Sequence, residues 1–242
     1  MSAFEQEFNQ FMRQEPNCAV LSDLLKSPPF KNADYLLKDR EIVAELKSLE
    51  LDTTPKLQTY AEYIIKERSI VFYGALPFHE IIKRQPDKDK LSEQAFRFII
   101  RPIERMVKEA NRQIRETKRA LRLPQAAGLM ILANTGNILL DWNLVQEALL
   151  RLLRTKGFKG RTLYSNIGGC LYLSEMKRDI KSYGRYAALP VAFIQRINFA
   201  PGELVPLDLT YIEQFRNRWA TWRGVPVLNE DGQIIHIPKA NP

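Results

Sequence analysis

The stretch that most constrains the fold is Gly128–Ala133, six residues reading Gly-Leu-Met-Ile-Leu-Ala without a polar interruption. The run is followed by the turn signal Asn134-Thr135-Gly136. A short, wholly apolar run of this kind fits a strand buried on both faces of a sheet. It falls far short of the ~18 residues that a membrane span requires. A doubly buried strand needs cover above and below, and the rest of the chain offers helices for that purpose. The alternation of helical and strand patterns predicts an α/β fold, with a central mixed sheet flanked by helices.

The periodicities place the other elements. Residues 3–13 put Phe4, Phe8, Phe11 and Met12 on one helical face, with Glu5 and Glu7 on its margins and Pro16 as a stop. Residues 18–25 read as a short strand or a single helical turn. A hairpin follows, with Ala33–Leu37 as one strand, Lys38-Asp39-Arg40 as the turn and Glu41–Leu49 as the second strand. Thr53-Thr54-Pro55 opens a helix to about Arg68. Residues 69–92 read as irregular, ending in the charged run Gln-Pro-Asp-Lys-Asp-Lys as a solvated loop. A long helix is expected from Ser92 to about Leu123, and an amphipathic one over Asp141–Lys156, stopped by Gly157. Strands are expected around Gly169–Leu173 and Ala187–Ile197. The chain then closes with a helix over Asp208–Arg223 and a hairpin turning at Asp231-Gly232. This organisation predicts one main domain over residues 1–200, with residues 201–242 as a helix and hairpin extension packed on it.

Composition removes several functional classes. Hydrophobic residues are 45% and charged residues 26% of the 242-residue chain, which excludes a disordered tail or a collagen-like repeat. The N-terminus lacks the basic and apolar regions of a secretory signal. Cys18 and Cys170 are too few for a disulfide framework, so reduced thiols and a cytoplasmic setting are expected. With His79 and His236 as the only histidines, a zinc site is not expected, and any metal would be a hard, oxygen-bound ion such as Mg²⁺. The formal net charge of +8 is compatible with a nucleic-acid partner or an anionic surface.

The chemistry concentrates in the hairpin. Alternation along its second strand puts Glu45 and Lys47 on one face with Val43 and Leu49, and Ile42, Ala44 and Leu46 on the other. Ionisable side chains among apolar neighbours need compensation, because burial of an unpaired ion costs several kcal/mol. A divalent cation held by Asp34 and Glu45 would provide it. The arrangement is D-x(n)-[DE]-x-K, and it resembles the PD-(D/E)XK nuclease superfamily, the restriction-endonuclease-like fold. The resemblance implies that Asp34 and Glu45 are metal ligands for Mg²⁺ or Mn²⁺ and that Lys47 assists the attacking water. It also implies a glutamate from the first helix, Glu7 or Glu5, and a polar group from the helix before the last core strand, Gln113. Ala33 stands where the family usually carries proline. The triplet [DE]-x-K recurs at Glu116–Lys118, Glu175–Lys177 and Asp179–Lys181, and only Glu45 lies in an apolar strand beside another bearing an aspartate.

The helix ending near Leu123 carries nine Lys or Arg against three Glu between Phe96 and Leu123. Arg105, Lys108, Arg112, Arg115, Lys118 and Arg119 are its candidates for tracking a phosphate backbone. A solvated face laced with i,i+4 ion pairs is the competing reading. Trp219 and Trp222, at i and i+3 among arginines, read as a core stripe before a base-stacking one. The expected activity is Mg²⁺-dependent hydrolysis of phosphodiester bonds, in DNA before RNA, by a chain that makes no membrane contact. A homodimer is expected if duplexes are cut. The alternative is a non-catalytic module of a defence or mobile-element system that binds nucleic acid or a partner.

Overall fold

The computed structural model describes residues 2–26, 28–71, 77–157, 160, 162–176, 181–183, 186–188, 191–196, 205–228 and 234–236. The chain begins with helix α1 (Ala3–Gln14), closed at its start by a capping box in which Ser2 and Glu5 satisfy each other's backbone N–H. Strand β1 (Ala19–Val20) and one helical turn, α2 (Leu21–Leu24), follow, so residues 18–25 hold both of the forms their sequence allowed. The hairpin is β2 (Tyr35–Leu37) and β3 (Ile42–Leu49), and Lys38, Asp39 and Arg40 all take positive φ in the turn between them.

Three helices cross from β3 to the next strand: α3 (Thr54–Glu67), α4 (Phe78–Lys83) and α5 (Lys88–Ala120). The expected irregular segment is thus partly helical, and the charged run is not simply a loop. Asp89 lies in the first turn of α5, where its charge favours the helix dipole. Arg68 clamps Asp87 through both guanidinium nitrogens at 2.5 and 2.8 Å. Ile82 and Leu91 bury against Ile64, which ties α3, α4 and α5 into a small satellite core. Pro102 lies inside α5 without ending it.

Strand β4 (Ala127–Asn134) contains the apolar run and is buried at every position. Helix α6 (Trp142–Arg154), capped by Asp141, leads to β5 (Gly169–Ser174). The expected single strand after it divides: β6 (Lys181–Tyr183) and β7 (Tyr186–Ala188) pair with each other, and β8 (Val191–Gln195) joins the main sheet. Helix α7 (Leu209–Trp222) precedes the antiparallel pair β9 (Val227–Leu228) and β10 (Ile234–His236). The expected turn residues Asp231-Gly232 and the end of the expected strand at Ile197 lie outside the described residues.

The main sheet has the order β1-β2-β3-β4-β5-β8. Its centre, β3-β4-β5, is parallel, and its remaining pairings are antiparallel. One face packs Val43, Leu49, Met130, Leu132 and Tyr172 under Ile103, Val107 and Ile114 of α5 and Leu149 of α6. The other packs Ile42, Ala44, Leu46, Leu129 and Ile131 under Phe8 and Phe11 of α1 and Phe215 and Trp219 of α7. The mixed sheet flanked by helices is therefore observed, and so is the expected division of β3 between its two faces. Trp219 is core, with Phe8 and Phe11 at ring-centroid distances of 4.9 and 5.0 Å. Helix α7 thereby packs on the same sheet as the preceding residues.

Candidate active site

The hairpin register decides where the carboxylates fall. Tyr35 pairs with Ala44, and the Asp34 N–H donates to Ala44 O at 3.1 Å, so Asp34 is one position before the ladder. Its side chain continues that ladder: Oδ2 accepts the Leu46 N–H at 2.9 Å. Helix α5 holds the approach to this point twice. Thr117 Oγ1 accepts the Ala33 N–H at 2.7 Å, and Gln113 Nε2 donates to Asn32 O at 3.0 Å. Residues 113 and 117 are one helical turn apart, so one edge of α5 carries both contacts.

Glu45 projects from β3 toward that edge, and only 1% of its side chain is exposed. Its Oε1 lies 2.7 Å from Lys47 Nζ, which also donates to Gln113 Oε1 at 2.9 Å. Its Oε2 is buried without a hydrogen-bond partner. Burial, and then the neighbouring Asp34 charge, push the Glu45 carboxyl up to about 8, against the pull of Lys47. Burial also raises Asp34, opposed by the Leu46 N–H and by Lys47. The Tyr35 hydroxyl, bonded to Asn9 Oδ1 at 2.9 Å, is raised by burial and by the Asp34 charge.

Asp34, Glu45, Lys47 and Gln113 are thus brought together. Glu7 is turned elsewhere, to Arg223 at 3.1 Å. Glu5 is the α1 glutamate whose charge bears on Asp34, although its carboxylate also accepts the Ser2 N–H at 2.9 Å. The two lie on opposite margins of the amphipathic helix, and the face that α1 buries selects between them. Thr117 and Asn32 join the site without having been singled out by sequence reasoning. Their signal in the sequence is slight, a threonine one turn after Gln113 and an asparagine two residues before Asp34.

Among the described residues, no group of at least three His, Cys, Asp or Glu side chains is placed to hold a metal ion. The donor set is therefore two carboxyl groups within hydrogen-bonding reach of each other, one with a buried oxygen that no N–H donor meets. Such a set fits Mg²⁺, which is usually bound through one or two carboxylates while water and substrate phosphate complete its shell. The other [DE]-x-K triplets are placed differently. Glu116 is within α5, Glu175 follows β5 and is held by Arg223 at 3.0 Å, and Asp179 lies outside the described residues.

The basic candidates divide. Arg105, Lys108, Arg112, Arg115 and Arg119 are exposed on α5, and no ion pair among the described residues engages them. The i,i+4 lacing of the competing reading is therefore not seen at these five residues among the described residues. The stripe lies on the solvent side of α5, however, and does not line the carboxylate pair. Lys118 is a correction: it is buried with Ile114 and Thr117 at the helix's inner side, only 8% exposed, and is not part of the exposed stripe. No helix among the described residues is long and apolar enough to cross a membrane. Searches against protein-family models, curated proteins and solved structures found no match.

Proposed function

We propose that the protein is a metal-dependent phosphodiesterase acting on nucleic acid, DNA before RNA, with a restriction-endonuclease-like arrangement of its site. The observation that carries this reading is Glu45, a carboxylate buried in a central strand with one oxygen unpartnered. It stands beside the Asp34 carboxylate and an ammonium on its own strand face. Asp34 also serves the fold through the Leu46 N–H, but the buried Glu45–Lys47 pair adds little to stability, since well-packed apolar residues in place of a buried ion pair are often as stable or more so. The order α1, β1-α2-β2-β3, α3-α4-α5, β4 supports the architecture, because the acid precedes one strand, the E-x-K lies in its neighbour, and helices ending in α5 lead to the next strand.

Asp34 and Glu45 would hold the cation, which when bound supplies positive charge to the scissile phosphate and acidifies water. Asp34 reaches that role pre-oriented, because its second oxygen is pinned by the Leu46 N–H. Lys47, partly exposed and aimed by Gln113, orients the attacking water or meets the charge that develops on the phosphate oxygens. Gln113 in turn is fixed by Asn32 O, so the ammonium is positioned through a chain of two hydrogen bonds. The exposed stripe of α5 would hold backbone phosphates beyond the reacting one.

The test is nicking of supercoiled DNA, and cleavage of single-stranded DNA and RNA, with Mg²⁺ or Mn²⁺ and with EDTA. Lys47→Ala should lower the cleavage rate on the order of 10²–10³-fold while the folded state and DNA affinity persist. Cleavage by Lys47→Ala at the wild-type rate would overturn the assignment, as would wild-type protein inert on every substrate.

A further inference from the structure

Away from the carboxylates, a cleft of about 420 Å³ opens beside the C-terminal end of α5 and the loop at Asn166. Arg115, Lys118, Arg119 and Arg122 line it, and no acidic residue does so among the described residues. Their spacing stacks them on successive turns along one edge of α5 and the turn beyond it. Like charges at such spacing oppose each other. At about 100° per residue, Arg115 and Lys118 lie on the far side of α5 from Gln113, and Arg122 stands in the turn after the helix ends. The cleft is therefore separate from the candidate active site.

Lys118 makes this more than a basic surface. It is only 8% exposed, yet it lines the cleft, and its ammonium has no hydrogen bond or ion pair among the described residues. Burial alone holds its pKa down to about 8. A largely desolvated ammonium without a counter-ion, meeting solvent only at the cleft, is destabilising in the free protein, and three neighbouring guanidinium groups add to the deficit of negative charge. Asn111 Oδ1 fixes the opposite wall by accepting the Asn166 N–H at 2.8 Å.

We propose that this cleft is a binding site for a phosphate dianion. Guanidinium forks match phosphate oxygens two at a time, and a lysine at the back of the cleft supplies a compact point charge. Several cations without a counter-ion suit a multiply charged, many-oxygen group better than a single carboxylate. The phosphate belongs either to the end of a polynucleotide strand or to a free phosphate compound.

The first experiment measures thermal unfolding and calorimetric binding with inorganic phosphate against chloride at equal ionic strength. Wild-type protein should bind phosphate and unfold at a higher temperature in it. Lys118→Met should weaken phosphate binding at least tenfold, yet unfold no lower than wild type in chloride, because it removes the unpaired buried charge. Should Lys118→Met not fold, the exposed double variant Arg119→Gln/Arg122→Gln decides by the same tenfold criterion. The second experiment compares one oligonucleotide with a 5′-phosphate, a 3′-phosphate and no terminal phosphate, in EDTA. A tenfold preference for a phosphorylated end identifies a strand terminus. Equal binding of the three, with the phosphate response retained, identifies a free phosphate compound. Phosphate no better than chloride, or bound equally well by the variants, would overturn the proposal. Neither readout involves cleavage, so the outcome is independent of the nuclease reading.

Discussion

Replacing Glu45 by Gln separates the energetic consequence of the buried carboxylate from its chemistry. In the metal-free protein the folded-state pKa of Glu45, about 8, stands above its ordinary value of 4.5. Between those two values the folded state holds a proton that the unfolded chain has released. Stability from this group is therefore complete below about pH 4.5 and is lost as the pH climbs toward about 8. The slope is at most about 1.4 kcal/mol per pH unit, so on the order of 2–3 kcal/mol separates pH 5.5 from pH 7.5. Glu45→Gln has no proton to lose. Lys47 exchanges one neutral oxygen partner for another in this variant while Glu45 is protonated, and it keeps Gln113 Oε1, so the comparison isolates the Glu45 proton. Urea unfolding in EDTA at several pH values should show the variant gaining on wild type steadily across that window. Adding Mg²⁺ should reverse the order near neutral pH. Wild type gains about 2.7 kcal/mol when the ion is a hundredfold above its dissociation constant, and the variant gains little. Parallel stability curves in EDTA would refute the reasoning, since they would mean that Glu45 is ionised in the folded protein throughout.

Other outcomes follow from single interactions. Asp34→Asn should raise the Mg²⁺ concentration needed for cleavage with little loss of stability, whereas Asp34→Ala should also lose about 1–3 kcal/mol by leaving the Leu46 N–H unmet, measurable by chemical unfolding. Arg105→Ala with Arg112→Ala, both exposed on α5 and outside the phosphate cleft, should weaken DNA binding and flatten its logarithmic salt slope by about one unit for each phosphate no longer neutralised. Gly128→Ala would place a methyl 1.8 Å from Asn166 O, so it should destabilise the fold by about 1–3 kcal/mol or more, read as a lower unfolding temperature.

What the sequence displayed well was whatever periodicity and turn chemistry encode. The run at 128–133 marked the buried strand, and alternation along residues 42–49 put Glu45 and Lys47 on one face with Val43 and Leu49, the face that α5 covers in the structure. Choices between neighbouring residues were not displayed in the same way. Glu5 and Glu7 flank one helical face almost symmetrically, and only the packing of α1 against the sheet and α7 sends Glu7 to Arg223. Lys118 reads as one more cation among nine, yet its position on the helix circumference buries it. The charged residues before Leu91 read as a loop because their helix is stabilised by partners distant in sequence, Ile64 and Arg68, which no local pattern announces.

The bond from Asp34 to the Leu46 N–H has a consequence for tracing descent. Asp34 belongs to the sheet as much as to the chemistry, since it replaces a ladder rung that would otherwise go unmet. Lys47 has no such second employment. A lineage that gave up cleavage would thus keep its aspartate under selection for folding, while the lysine drifted first. Among descendants of this chain, retention of Asp34 would testify to the hairpin, and retention of Lys47 to the reaction.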